Sequence, residues 1–236
     1  SPIGIFDSGL GGLTVLKSLE KILPNESYIY FGDTAHVPYG SKSTNTVIHY
    51  SRNIMDFFQT YNTKAVVIAC NTASAVAFQD LLARYDVPLF DVVGPSVIHA
   101  NNISKTRNIG VIGTYSTINS RAYTRSFADI KSDCTAVEIA CPLFVPLIEE
   151  GWHNTPIAKE VSRSYLEPFQ EMNIDTLILG CTHYPIMAKT IQSSINSNVK
   201  LVYSGETVGK KLLTYMDNNS CTNNLESGGK TIFYVT

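Results

Sequence analysis

Short apolar runs rich in β-branched and aromatic residues recur along this chain, each followed by a longer stretch with apolar positions every three or four residues. Residues 3–6 (IGIF), 28–31 (YIYF), 65–69 (AVVIA) and 88–93 (PLFDVV) read as strands. Between them, 13–23, 46–61 and 72–85 carry the spacing of amphipathic helices. Strands apolar on both faces, alternating with helices, predict parallel β-α-β units with helices covering the sheet on either side. The expected class is α/β.

The rhythm then restarts. Residues 108–114 (NIGVIGT), 136–140 (AVEIA), 176–180 (TLILG) and 200–204 (KLVYS) are strand-like, as is 231–236 (TIFYVT) after the polar stretch 218–230. The openings Ile3-Gly4-Ile5-Phe6 and Ile109-Gly110-Val111-Ile112 are offset by about 106 residues, and the cysteines that follow AVVIA and TLILG by 111 (181 − 70). Two such similar offsets predict two related halves, with a repeat too long for a solenoid. A turn signal at Val93-Gly94-Pro95-Ser96 marks the boundary, and a second crossing near Ser204-Gly205-Glu206 returns the chain. The expected domains are 1–93 plus 206–236, and 94–205. Each would be a parallel sheet flanked by helices, with the active site in the cleft between them.

Composition narrows the class. Charged residues are 16% of the chain and the net charge is −2, so there is no electrostatic footprint for nucleic acid. Lysines and arginines form no basic run suited to a membrane surface, and no apolar stretch approaches the roughly 20 residues a spanning helix needs. The strand-like run at Ile3 leaves no place for a signal peptide. Five cysteines, an odd number without small-scaffold spacing, point to reduced thiols and a cytoplasmic setting.

Ligands of open parallel sheets gather at the carboxyl ends of strands, where helix N-termini offer free N–H groups. Four loops qualify: Asp7-Ser8-Gly9, Pro38-Tyr39-Gly40, Cys70-Asn71-Thr72 and Cys181-Thr182-His183. A cysteine opening a helix has its thiolate favoured by the dipole and nearby N–H donors. Two of them at equivalent strand ends would face each other across the cleft. Such a pair could form a redox disulfide, although no Cys-x-x-Cys is present. It could ligate a metal with His183, although Cys-x-His is too few ligands. Or it could move protons on opposite faces of one carbon, inverting a stereocentre.

Asp7-Ser8-Gly9-Leu10-Gly11-Gly12, with Asp33 further on, is similar to a dinucleotide fingerprint, but Thr14 stands at the third glycine. An acid and a hydroxyl ahead of the first glycine suit an ammonium group better than an anion. His183 could tune or relay the proton of Cys181. Glu149 and Glu150 end the apolar run 141–148. His36, His49, His99 and His153, and Cys134, Cys141 and Cys221, have no such setting.

Five motifs in order, DSGLGGLTVL (7–16), GDTAHVPYGSKS (32–43), ACNTASA (69–75), CPLFVPLIEEG (141–151) and GCTHYP (180–185), resemble the bacterial glutamate racemases of the aspartate/glutamate racemase family. The resemblance implies a cofactor-independent, metal-free racemase of two pseudo-symmetric α/β domains, a homodimer that supplies D-glutamate for peptidoglycan. By position it makes Cys70 and Cys181 the two acid/base residues, Cys70 acting on D-glutamate and Cys181 on L-glutamate. Asp7, Glu149 and His183 become supporting polar groups, with Glu149 preferred to Glu150. Asp7, Ser8, Tyr39, Gly40, Asn71, Thr72, Thr182 and His183 become the substrate-binding set. Family members continue past a strand like TIFYVT into a further helix, where this sequence departs from them. An aspartate racemase with the same thiols, a non-catalytic amino-acid-binding domain and a dinucleotide enzyme are the alternatives.

Overall fold

The structure, a computed structural model, describes residues 1–223 and 228–236. Among these residues the strands are β1 (Ile3–Asp7), β2 (Tyr28–Gly32), β3 (Ala65–Ile68), β4 (Leu89–Phe90), β5 (Asn108–Gly113), β6 (Thr135–Ala140), β7 (Thr176–Gly180), β8 (Lys200–Tyr203) and β9 (Thr231–Val235). They form two all-parallel sheets, ordered β4-β3-β1-β2-β9 and β6-β5-β7-β8. Without β9, the two sheets have the same order: the first strand is central, the second lies to one side, and the third and fourth lie to the other.

Register makes the equivalence residue by residue. Phe6 pairs with Ile68 and Ile112 with Leu179, so β1 maps onto β5 at 112 − 6 = 106 and β3 onto β7 at 179 − 68 = 111. These are the offsets already visible in the sequence. The repeat in the chain is therefore a repeat in the fold.

Alternation along each strand sends successive side chains to opposite faces. Ile3, Ile5, Tyr28 and Tyr30 pack with Val15, Leu19, Leu212 and Met216 on one face of the first sheet. Phe6, Ile29, Val66 and Ile68 pack with Ile54, Met55, Phe58 and Leu81 on the other. Ser43 starts the helix Thr44–Gln59 by accepting from Thr46 N at 3.2 Å. The helix Ser204–Asn218 follows β8 yet lies against the helix Leu13–Ile22, close enough that a Cβ on Gly205 would meet Ser18 Oγ at 2.8 Å. Beyond it, β9 pairs with β2 at the sheet edge.

One expectation fails. The strand predicted over 88–93 shrinks to two residues, and the turn at Val93-Gly94-Pro95-Ser96 is the first turn of the helix Val93–Ile103. Asp91 Oδ2 accepts from Gly94 N at 2.7 Å, and Ser96 Oγ donates to the Val92 carbonyl at 2.7 Å. Pro95 fits because the first helical turn leaves its N–H groups unbonded anyway. The helix buries Val93, Val97 and Ala100 against Ile109, Val111 and Ile178 of the second sheet. No helix among the described residues is long and apolar enough to cross a membrane.

Candidate active site

In each sheet the strand order reverses between the first and third strands, which opens a crevice at their carboxyl ends. The crevices of the two sheets face each other over one cavity. Ser8, Pro38, Tyr39, Gly40, Cys70, Asn71 and Thr72 line it from one side, and Thr114, Val145, Cys181, Thr182 and His183 from the other. Its volume is about 20 Å³, room for roughly one water molecule.

The two thiols are both buried here but differently supported. Cys70 caps the helix Asn71–Arg84, its Sγ accepting from Ala73 N at 3.5 Å. Cys181 precedes a short 3-10 turn, Tyr184–Met187, instead of a full helix, and its Sγ lies 3.8 Å from His183 Nδ1. The expected favouring of the thiolate is outweighed. Burial pushes the Cys70 thiol up to about 12 and the Asp7 charge adds to this, against the N–H of Ala73 and the hydrogen bonds of Ser8. Burial likewise raises Cys181 well above the usual thiol range, with the charges of Cys70 and Asp7 adding. Burial around the cavity therefore favours the protonated thiol at both positions.

Asp7 is fully buried and stands behind Ser8. Its Oδ2 accepts from Gly9 N at 3.1 Å and Gly12 N at 2.9 Å, and its Oδ1 accepts from Thr182 Oγ1 at 3.2 Å. A Cβ at Gly12 would come within 2.5 Å of the Asp7 Cβ, so this turn needs glycine there. The fingerprint reading ends at this point: the N–H groups a pyrophosphate would take are occupied by the chain's own carboxylate. His183 Nε2 lies 3.2 Å from Glu149 Oε1, and both face a second, outer cavity of about 410 Å³ with Leu10, Val37, Ile148 and Ile186. Glu150 instead borders an apolar groove beside the half-exposed Trp152.

The halves touch closely around the cavity. Thr14 Oγ1 donates to the Thr182 carbonyl at 2.8 Å, and the hydroxyls of Thr72, Thr114 and Thr117 lie 3.0–3.1 Å apart. A Cβ at Gly40 would sit 2.5 Å from the Thr114 Cβ, and one at Gly11 would sit 2.5 Å from the His183 ring. Tyr39 OH donates to the buried Asp33 Oδ2 at 2.6 Å, and His36 Nδ1 lies 2.8 Å from Asp33 Oδ1.

Every residue singled out in the sequence therefore lines the cavity or contacts a residue that does. Thr114 and Val145 were missed. Thr114 was within reach, because the offset of 106 carries Ser8 onto it. The offset of 111 likewise carries Asn71 and Thr72 onto Thr182 and His183, and the repeat is broken where Asp7 meets Gly113. Among the described residues, no three His, Cys, Asp or Glu side chains converge as metal ligands. Cys134, Cys141 and Cys221 are free and lie outside the cavity.

Known proteins resemble this chain over nearly all its length. A family model described as Asp/Glu/hydantoin racemase matches residues 3–208. Glutamate racemase of Geobacter metallireducens is 48% identical over 208 residues, covering 88% of this chain and 77% of that protein. The crystal structure of Thermus thermophilus glutamate racemase in complex with β-chloro-D-alanine matches with a TM-score of 0.91 at 42% identity, over 100% of this chain and 88% of that one. That of Francisella tularensis glutamate racemase in complex with D-glutamate matches with a TM-score of 0.92 at 40% identity, with the same coverage.

Proposed function

This chain belongs to the Asp/Glu/hydantoin racemase family as an amino-acid racemase with glutamate racemases among its relatives, and from that premise we propose that it interconverts L- and D-glutamate through two thiols. The observation that carries this reading is Cys70 and Cys181 at register-equivalent strand ends, lining one cavity. One thiolate takes the α-proton and leaves a carbanion. The opposite thiol gives its proton to the other face of the same carbon, so the centre inverts and the two sulfurs exchange protonation states. Cys181 takes the proton from L-glutamate and Cys70 from D-glutamate. The reaction uses no organic cofactor or metal.

An ordinary thiol titrates near pH 8.5, and an amino-acid α-proton is far less acidic, so the site must supply electrostatic help. Substrate brings an ammonium cation into a buried space where the Asp7 charge opposes ionisation of Cys70, and the added cation favours the thiolate. His183, held by Glu149 and 3.8 Å from the Cys181 sulfur, is placed to take up or return the Cys181 proton on the other side. Ser8, Thr72, Thr114 and Thr182 offer hydroxyls and N–H groups to the two carboxylates. A glutamate cannot enter a cavity of about 20 Å³, so domains 1–93 plus 206–236 and 94–205 part to admit it and close to exclude water. The D-glutamate would feed peptidoglycan synthesis in the cytoplasm, with the enzyme acting as a homodimer.

Circular dichroism of L-glutamate and L-aspartate, each incubated with protein free of added cofactor, tests the proposal. Loss of optical activity from glutamate, much faster than from aspartate and insensitive to chelator, is expected. A preference for aspartate would make this an aspartate racemase.

A further inference from the structure

Asn71 is buried at the cavity wall, yet its carbonyl Oδ1 has no partner among the described residues. Its amide nitrogen is fully engaged: Nδ2 donates to Tyr123 OH at 3.0 Å and to Ser204 Oγ at 3.1 Å. The single proton of Ser204 goes to the Leu179 carbonyl at 3.4 Å, which leaves its oxygen to accept. In this arrangement the amide nitrogen faces Tyr123 and Ser204 and its oxygen points away from them. A buried carbonyl without a donor is costly, so the arrangement favours a ligand that brings N–H groups to this point. An amino acid's ammonium group has three.

The two hydroxyls come from beyond the cleft. Tyr123 is fully buried on the helix Ala122–Asp129, and a Cβ at Gly180 would lie 3.2 Å from its oxygen. It thus touches both the residue after Cys70 and the residue before Cys181. Ser204, at the start of its helix, bonds Asn71 and the carbonyl two residues before Cys181. Neither lines the cavity. Both tie one thiol loop to the opposite thiol strand.

We propose that Tyr123 and Ser204 are positioning residues, which turn the Asn71 carbonyl toward the substrate ammonium and set the two thiols at the separation that two-sided proton transfer requires. The proposal rests on the two-thiol reading above. Its consequence is selective, because an offset between the thiols harms a reaction that needs both and spares one that needs a single base.

Tyr123→Phe, Ser204→Ala and the double variant of the full chain would be compared in two assays. Racemisation of L-glutamate uses both thiols. With β-chloro-L-alanine or β-chloro-D-alanine, one thiolate takes the α-proton, the released electron pair forms the Cα–Cβ double bond, and chloride leaves with its bonding pair. In the double variant, kcat for racemisation should fall about 10- to 100-fold, from two lost hydrogen bonds. Elimination should keep kcat within about threefold of the wild type, while KM rises in both assays as the ammonium acceptor loosens. Equal losses of kcat in the two assays would overturn the positioning role, as would wild-type racemisation by the double variant. A wild type unable to racemise glutamate would overturn the two-thiol reading as well.

Discussion

Gly40 stands where the two halves meet, and alanine there tests whether the cavity closes around its substrate. The added Cβ would lie 2.5 Å from the Thr114 Cβ and 2.6 Å from its Cγ2. Ordinary contacts between carbons need about 3.5–4.0 Å, so the Tyr39-Gly40 wall must retreat by about 1 Å from Thr114. Overpacking of this kind costs about 1–3 kcal/mol. At about 1.4 kcal/mol per factor of ten, that lowers kcat/KM roughly 5- to 150-fold if the penalty falls on the closed complex. The backbone at Gly40 is not left-handed, so alanine brings no conformational strain, and an opened cleft relieves the clash. The melting temperature should therefore move by only a few degrees. Gly151→Ala is the contrasting control: its φ of +74° disfavours a side chain, yet nothing lies within 4 Å of the new Cβ. It should cost about 1 kcal/mol of stability and leave KM unchanged. Wild-type kcat/KM in Gly40→Ala would refute the idea that Gly40 and Thr114 close on each other during turnover. A loss of activity tracking a large fall in melting temperature would refute it too.

Cys70→Ser and Cys181→Ser should each abolish racemisation, since serine keeps the packing but is a far weaker base. Cys70→Ser should still eliminate chloride from β-chloro-L-alanine and Cys181→Ser from the D form; elimination from the same enantiomer by both variants contradicts the assignment of faces. Asp7→Asn should lower kcat more than it raises KM, if its charge acts mainly as charge develops at the α-carbon; a raised KM with unchanged kcat would recast Asp7 as a binding group only. The Cys70 thiol is raised from 9.0 to about 12 by burial and then by Asp7, so the folded state holds its proton more tightly than the unfolded chain does. That contribution to stability is complete below about pH 9 and is lost as pH rises toward 12. Melting curves of wild type and Cys70→Ser should converge or cross over this interval, and a constant difference would show that the thiol is not buried in solution.

Much of this protein is legible in its sequence because its strands and helices answer to local rules. An apolar run followed by a helical period predicts a strand and its covering helix wherever the backbone bonds are made nearby. The offsets of 106 and 111 reappear in the strand register, and with them the pairing of Cys70 with Cys181. Tertiary structure decided the rest. Whether residues 88–93 extend as a strand depended on the helix Val93–Ile103 starting inside that run, where Asp91 reaches forward to accept from Gly94 N. Asp7 looked like a group aimed at a ligand, and the fold adds what spacing does not show, that two glycine N–H groups of its own turn hold its carboxylate. Helix-terminal cysteines suggested easily formed thiolates, but desolvation is a sum over everything packed around the sulfur, and both thiols are buried in the core of their own half. The contacts of Gly40 with Thr114, and of Asn71 with Tyr123 and Ser204, join residues 52 to 133 positions apart. No local pattern encodes such neighbours; they arise only when two sheets that bury their own faces separately are brought together at the ends of their strands.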